Sequence, residues 1–153
     1  MRHSNRLWSV ILAGGEGERA RPMVQAWLGR HKPKQYCTFI GTRSMFQHTL
    51  DRAIRLTDPE RIVTVIARGH RQEALAQLEG RRAGMVLLQP QNRNTAAGIF
   101  LPLTYIRAQD ASATVVIYPS DHFVYPEDRF LDVVQSAVCT AEWLPNLLVL
   151  LGV

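Results

Sequence analysis

Three glycines, an arginine and two lysines stand close together near the start of the chain. They occur in Leu12-Ala13-Gly14-Gly15-Glu16-Gly17-Glu18-Arg19 and, further on, in Lys32-Pro33-Lys34-Gln35. Glycines directly behind an apolar run let a backbone come close to a phosphate chain and turn its amides towards the oxygens. Cationic side chains beside them offset the charge. The chemistry this predicts is triphosphate binding; for a glycine cluster alone, a tight turn carrying a surface arginine is the plain alternative. Two later segments also follow apolar runs and carry polar groups: Gln89-Pro90-Gln91-Asn92-Arg93-Asn94-Thr95-Ala96 and Tyr118-Pro119-Ser120-Asp121-His122. Asp121 there could hold a cation or simply cap a turn, and Asn92 and Asn94 could form turns, because asparagine tolerates left-handed backbone.

Gly15-Glu16-Gly17-Glu18-Arg19-Ala20 also fits the dinucleotide pattern G-x-G-x-x-A. That pattern expects an acid about 20 residues later to hold a ribose, yet no Asp or Glu occurs between Glu18 and Asp51. The ATPase loop G-x-x-x-x-G-K-[ST] is absent as well.

The elements that must position these groups are legible from periodicity. Trp8–Ala13, Arg61–Ile66, Met85–Leu88, Thr114–Tyr118 and Leu147–Leu151 are short apolar runs of the kind that form strands buried on both faces. Helical spacing lies between them. Ser44 with Gln47 makes a capping box ahead of Phe46, Leu50, Ala53 and Ile54. Thr95 can cap a helix carrying Ile99, Leu103 and Ile106. Pro126 suits a first turn, Glu127 and Asp128 suit the positive end of the helix dipole, and Phe130, Val133, Val134, Ala137 and Val138 form an apolar stripe. Strand and helix alternate throughout, which predicts an α/β, Rossmann-like, mostly parallel sheet with helices on both faces. In such sheets ligands bind beyond the carboxyl ends of the strands, so the loops after Ala13, Leu88 and Tyr118 are the candidate site.

Composition bounds the answer further. The 153 residues, 46% of them hydrophobic and 20% charged, suit one globular domain with a single core. No apolar run approaches the roughly 20 residues of a membrane span. The basic start, Met1 to Arg6, lacks a signal-peptide cleavage pattern, so a cytoplasmic location is expected. The formal net charge of +5 comes mainly from arginine. Arg61, Arg68, Arg71, Arg81 and Arg82 are scattered among acids and apolar residues, without interleaved aromatics, which reads as solvated surface and sets nucleic acid aside. Cys37 and Cys139 show no metal or redox spacing and read as reduced, partly buried thiols.

Taken in order, these motifs resemble a known family. LAGGEGERARP with KPKQY resembles the signature of the sugar-1-phosphate nucleotidyltransferases. Gln89–Ala96 resembles the R-N-T-A segment of the mannose-1-phosphate guanylyltransferases in that family, and Tyr118–His122 resembles its P-x-D-H element. Leu151-Gly152-Val153 is similar to the strand end that leads into the sugar-recognition region. The resemblance covers residues 8 to 153. It implies a GT-A-like nucleotidyltransferase fold, with residues 1–153 forming the N-terminal, nucleotide-binding portion of the domain and the sugar-binding half absent. It also implies nucleotidyl transfer from GTP to mannose-1-phosphate with release of pyrophosphate, or, for the chain alone, nucleotide binding without turnover.

By the same resemblance Ala13, Gly14, Gly15 and Gly17 wrap the nucleotide, Ala13 touching the base through its backbone. Arg19 binds the leaving pyrophosphate, and Lys34 steadies the α-phosphate and the sugar phosphate. Gln89 and Asn94 read the base edge with Arg93 nearby, and Asp121 coordinates Mg²⁺, an ion that takes one or two carboxylates together with phosphate oxygens. Lys32 is expected to face solvent, and His122 to be structural, held by packing or a backbone hydrogen bond. Glu18 departs from the family's threonine or serine; its carboxylate must point away from phosphate or pair with Arg21. Ala20 for leucine and Ala97-Gly98 for proline-alanine are further departures, affecting packing. An apolar strand at Leu147–Val153 also predicts an exposed sheet edge, to be covered by a partner such as a second copy or by a further domain, or else left marginally stable.

Overall fold

The computed structural model describes residues 6–91 and 93–152. The basic start Met1–Asn5, the predicted turn residue Asn92 and the terminal Val153 lie outside the described residues. Four strands, β1 (Leu7–Leu12), β2 (Ile62–Ala67), β3 (Met85–Gln89) and β4 (Thr114–Pro119), form one fully parallel sheet in the order β3-β2-β1-β4. Five helices connect or flank them: α1 (Arg21–Leu28), α2 (Met45–Ile54), α3 (Arg71–Leu78), α4 (Asn94–Gln109) and α5 (Glu127–Trp143).

The central strands β1 and β2 are near-continuous apolar runs because both their faces are covered. On one face Leu7, Ile11, Ile62 and Ile66 pack against Phe46, Leu50 and Ala53 of α2, Ala74 and Leu78 of α3, and Val134 and Val138 of α5. On the other, Trp8, Val10, Val63 and Val65 meet Ile106 and Tyr105 of α4. The two-residue alternation of each strand thus sorts its side chains into two cores. Helices on both faces, as expected from the alternation, are what the structure shows.

Local signals explain the helix starts. The Ser44 hydroxyl accepts from the Gln47 amide at 3.1 Å, and the Gln47 side chain accepts from the Ser44 amide at 3.1 Å, closing the capping box. Helix α1, which has no counterpart in the periodicity analysis, begins with Pro22 in its first turn and ends at Gly29 with φ 69°, the proline-first, glycine-last asymmetry of helix ends.

Three expectations need correction. Leu147–Leu151 is not a strand: it carries no ladder pairing among the described residues, and Leu147, Leu148, Leu150 and Leu151 are exposed. An extended segment is stable only where neighbouring backbone takes up its amides and carbonyls, and here, among the described residues, the one backbone bond is local, from the Leu147 amide to the Leu144 carbonyl. Thr95 lies inside the first turn of α4 and does not cap it. The buried face of that helix is Gly98, Pro102 and Ile106, while Ile99 and Leu103 of the expected stripe are half-buried beside it. Cys139, finally, is exposed, whereas Cys37 is buried with its thiol directed at the Pro33 carbonyl (3.6 Å).

Candidate active site

Strand order places the site. β2 and β3 lie on one side of β1, and the chain then crosses to put β4 on the other, so β1 and β4 diverge at a topological switch point. In register, Leu12 lies opposite both Val65 and Pro119, which brings the loops after β1 and β4 to the same edge. Ser120 joins them: its hydroxyl donates to the Leu12 carbonyl at 2.6 Å. A cavity of about 350 Å³ opens there, walled by Gly14, Gly15, Gln35, Gln89, Asn94, Ser120 and Asp121 among others.

The glycine turn is built from below by the Lys34–Tyr36 turn. Gln35 Nε2 donates to the carbonyls of Ala13 (3.1 Å) and Gly15 (2.7 Å), and the Tyr36 hydroxyl donates to Ala13 (2.9 Å). Tyr36 is wholly buried, which pushes its hydroxyl pKa well above the ordinary tyrosine range. Gly17 has φ 63° and sits against the Lys34 backbone, where a Cβ would come within 3.4 Å of the Lys34 nitrogen. Glycine takes that left-handed conformation at no steric cost, whereas most side chains would be strained there. At Gly14 a Cβ would stand 3.3 Å from the Ala67 nitrogen and 3.5 Å from Gln89 Oε1. The first turn thus packs tightly against the ends of β2 and β3, and a side chain at Gly14 would require the Ala67 backbone to give by a few tenths of an ångström.

Lys34 and Asp121 meet across this loop, Nζ to Oδ2 at 2.5 Å, with their side chains 36% and 27% exposed. Asp121 also has His122 Nε2 at 3.7 Å from its second oxygen. His122 is exposed and faces that carboxylate, which corrects the expectation that packing or a backbone bond holds it. Lys32 also differs from expectation: it is only 17% exposed and pairs with Glu73 at 2.6 Å. The pair belongs to a polar network in which Gln77 Nε2 donates to Glu73 (3.2 Å) and to the Tyr36 carbonyl (2.9 Å), while Ser44 donates to Gln77 Oε1 (2.5 Å). Helix α3 thus braces the lysine segment.

The remaining candidates are distributed as follows. Gln89 is buried on the cavity wall, and its Nε2 has no partner among the described residues. Asn94 lines the same wall with φ 63°, so it both adopts the left-handed backbone and faces the cavity. Arg93 is exposed, donating to Gln91 at 3.1 Å. The Ala13 backbone is already engaged, its amide donating to Val65 (2.8 Å) and its carbonyl accepting from Gln35 and Tyr36. Arg19 and Glu18 are exposed on the turn Glu18–Ala20, outside the cavity wall. The structure therefore brings together Gly14, Gly15, Gln89, Asn94, Lys34 and Asp121, and leaves Arg19 at the margin. Gln35, Tyr36 and Ser120 are site-building residues that sequence reasoning did not single out; the signal was their place in the K-P-K-Q-Y and P-S-D-H segments.

Among the described residues no cluster of three or more metal-ligating side chains exists. No helix of the described residues is long and apolar enough to cross a membrane.

Comparison with known proteins identifies the family and the fold. Residues 8–150 match the nucleotidyl transferase family. The chain is 32% identical over 135 residues to the xanthan biosynthesis protein XanB of Xanthomonas campestris, and 30% identical to a mannose-1-phosphate guanylyltransferase of Salmonella montevideo. Each alignment takes in 87% of this chain, which spans only 28% and 27% of those relatives. Among solved structures, a Thermus thermophilus protein described as a mannose-1-phosphate geranyltransferase superposes with TM-score 0.73 at 26% identity, covering 90% of this chain and 38% of that one.

Proposed function

We propose that this chain, which belongs to the nucleotidyl transferase family, transfers a nucleotidyl group from a nucleoside triphosphate, GTP foremost, to a sugar-1-phosphate such as mannose-1-phosphate, releasing pyrophosphate. The observation that carries the reading is the meeting of Lys34 with Asp121 at 2.5 Å beside the glycine turn, at the switch point of a parallel sheet. A cation, a carboxylate and close-approaching backbone are what this chemistry asks for. A sugar phosphate oxygen attacks the α-phosphorus in line and pyrophosphate departs, so catalysis consists of positioning and of stabilising charge.

In this reading Gly14, Gly15 and Gly17 cradle the phosphates, and Lys34 orients the α-phosphate and the incoming sugar phosphate. Gln89 and Asn94 meet the base, and Arg19 folds in over the pyrophosphate from the exposed turn. Ala13 supports the base through the turn it anchors. Asp121 fits Mg²⁺: it is a cavity-facing carboxylate, and this ion takes one or two carboxylates and completes its shell with substrate oxygens. Bound there, the ion would supply charge neutralisation at the triphosphate. Residues 1–153 are read as the nucleotide-binding portion, acting in the cytoplasm, and no residue beyond Lys34 is assigned to the sugar phosphate.

The test is calorimetric titration of each of the four ribonucleoside triphosphates with Mg²⁺, followed by a pyrophosphate-release assay with mannose-1-phosphate and glucose-1-phosphate. GTP binding with release in the presence of mannose-1-phosphate is expected. Absence of binding by every triphosphate sinks the proposal. A second reading, a nucleotide-binding module without turnover, is separated by the same assay as binding with no pyrophosphate.

A further inference from the structure

His70 closes the turn Arg68–His70 directly behind β2 and is 7% exposed. Its Nε2 lies 3.4 Å from Glu16 Oε2, and its ring stands edge-on to Tyr36 at 5.7 Å. Its Nδ1 is buried without a hydrogen-bond partner among the described residues. Packing alone does not account for an imidazole here, because an unsatisfied buried nitrogen costs free energy that an apolar side chain of the same bulk avoids. The tautomer that limits this cost carries its proton on Nε2, donates to Glu16 and leaves only a lone pair unmatched.

Glu16 is the one residue with a side chain in the Gly14–Gly17 turn. A carboxylate at that place opposes phosphate by charge unless something holds it off. The backbone of the same turn is held at Ala13 and Gly15 by Gln35 and Tyr36, which leaves Glu16 as the group still able to swing towards the phosphates. We infer, resting on the nucleotidyl-transfer reading above, that His70 is a positioning residue: by tethering Glu16 behind β2 it keeps the glycine turn open to a triphosphate.

The test is titration of GTP with Mg²⁺ into the whole chain and its variants, with thermal melts to establish that each is folded. His70→Leu keeps bulk and removes the donor, and it is expected to weaken binding about tenfold, the scale of one unscreened like charge in a partly solvated site. His70→Gln places an amide nitrogen near the Nε2 position and should retain most of the affinity. Adding Glu16→Gln to His70→Leu should restore binding to within about twofold of the parent, because the repelling charge is gone. Should His70→Leu fail to fold, Glu16 itself decides: Glu16→Asp is too short to reach His70 and should weaken binding, whereas Glu16→Gln should not. If His70→Leu and His70→Gln weaken binding alike and removal of the Glu16 charge restores nothing, or if Glu16→Asp and Glu16→Gln behave alike, the inference is overturned while the triphosphate reading stands. If the parent chain binds no triphosphate, the reading itself fails and takes the inference with it.

Discussion

Replacing Lys34 by methionine separates a functional lysine from a merely structural one, because its two effects differ in size. The bare Coulomb attraction across 2.5 Å is roughly 6 to 7 kcal/mol at an effective dielectric constant near 20. Solvent reaches both groups, 36% and 27% exposed, and two side chains must be held still. The net contribution to folding is therefore about 1 kcal/mol, that of a partly exposed ion pair. In a chain of this size that corresponds to a fall in Tm of roughly 2 to 4 °C. Against a triphosphate the same ammonium makes a charge-assisted hydrogen bond inside a cavity, where its loss costs about 1.5 to 3 kcal/mol, or roughly ten- to a hundredfold in Kd. Lys34→Met should therefore melt nearly like the parent yet bind GTP with Mg²⁺ far more weakly. Asp121→Asn should match its small thermal effect, and the double variant should melt no lower than the worse single one, since one interaction is removed only once. Differential scanning calorimetry and titration calorimetry read the two sides of this comparison. Affinity within twofold of the parent in Lys34→Met would refute the assignment of Lys34 to the phosphates.

Three further outcomes follow from the packing. Gly84→Ala should prevent stable folding or cost at least about 3 kcal/mol, because its Cβ would overlap the carbonyl oxygens of Ile62 and Pro59 and its φ is 63°; a urea melt close to that of the parent would contradict it. Ser44→Ala should cost about 1 to 2 kcal/mol in the same assay, since it removes the α2 cap and strips Gln77 of a donor. Stability should fall in alkali: burial pushes the Tyr118 hydroxyl up to about 12, so the unfolded chain gives up this proton first. The contribution is intact below the ordinary tyrosine value near 10 and is lost as pH rises through the folded value, about 2 to 3 kcal/mol in all; flat stability between pH 9 and pH 12 would contradict it.

Much of the fold was legible because its signals are local. The apolar runs at Trp8, Ile62, Met85 and Thr114 sit in strands within a residue or two of the expected bounds, and Ser44 with Gln47 needed only three residues of context to be recognised as a cap. The ordered motifs likewise pointed to one family, and that family matches residues 8–150. Tertiary structure decided what pairing and burial decide. Leu147–Leu151 has the composition of a strand, but a strand exists only beside a partner, and none stands there among the described residues. Lys32 is expected from the sequence to face solvent, yet the turn between it and Lys34 sends Lys32 to Glu73 and Lys34 to Asp121. His70 carries no motif at all; only the return of β2 alongside β1 brings it to Glu16. Periodicity is a property of neighbours along the chain, whereas the charge meetings that make a site depend on strand register and on where the sheet changes direction, and those are settled only when the whole sheet has formed.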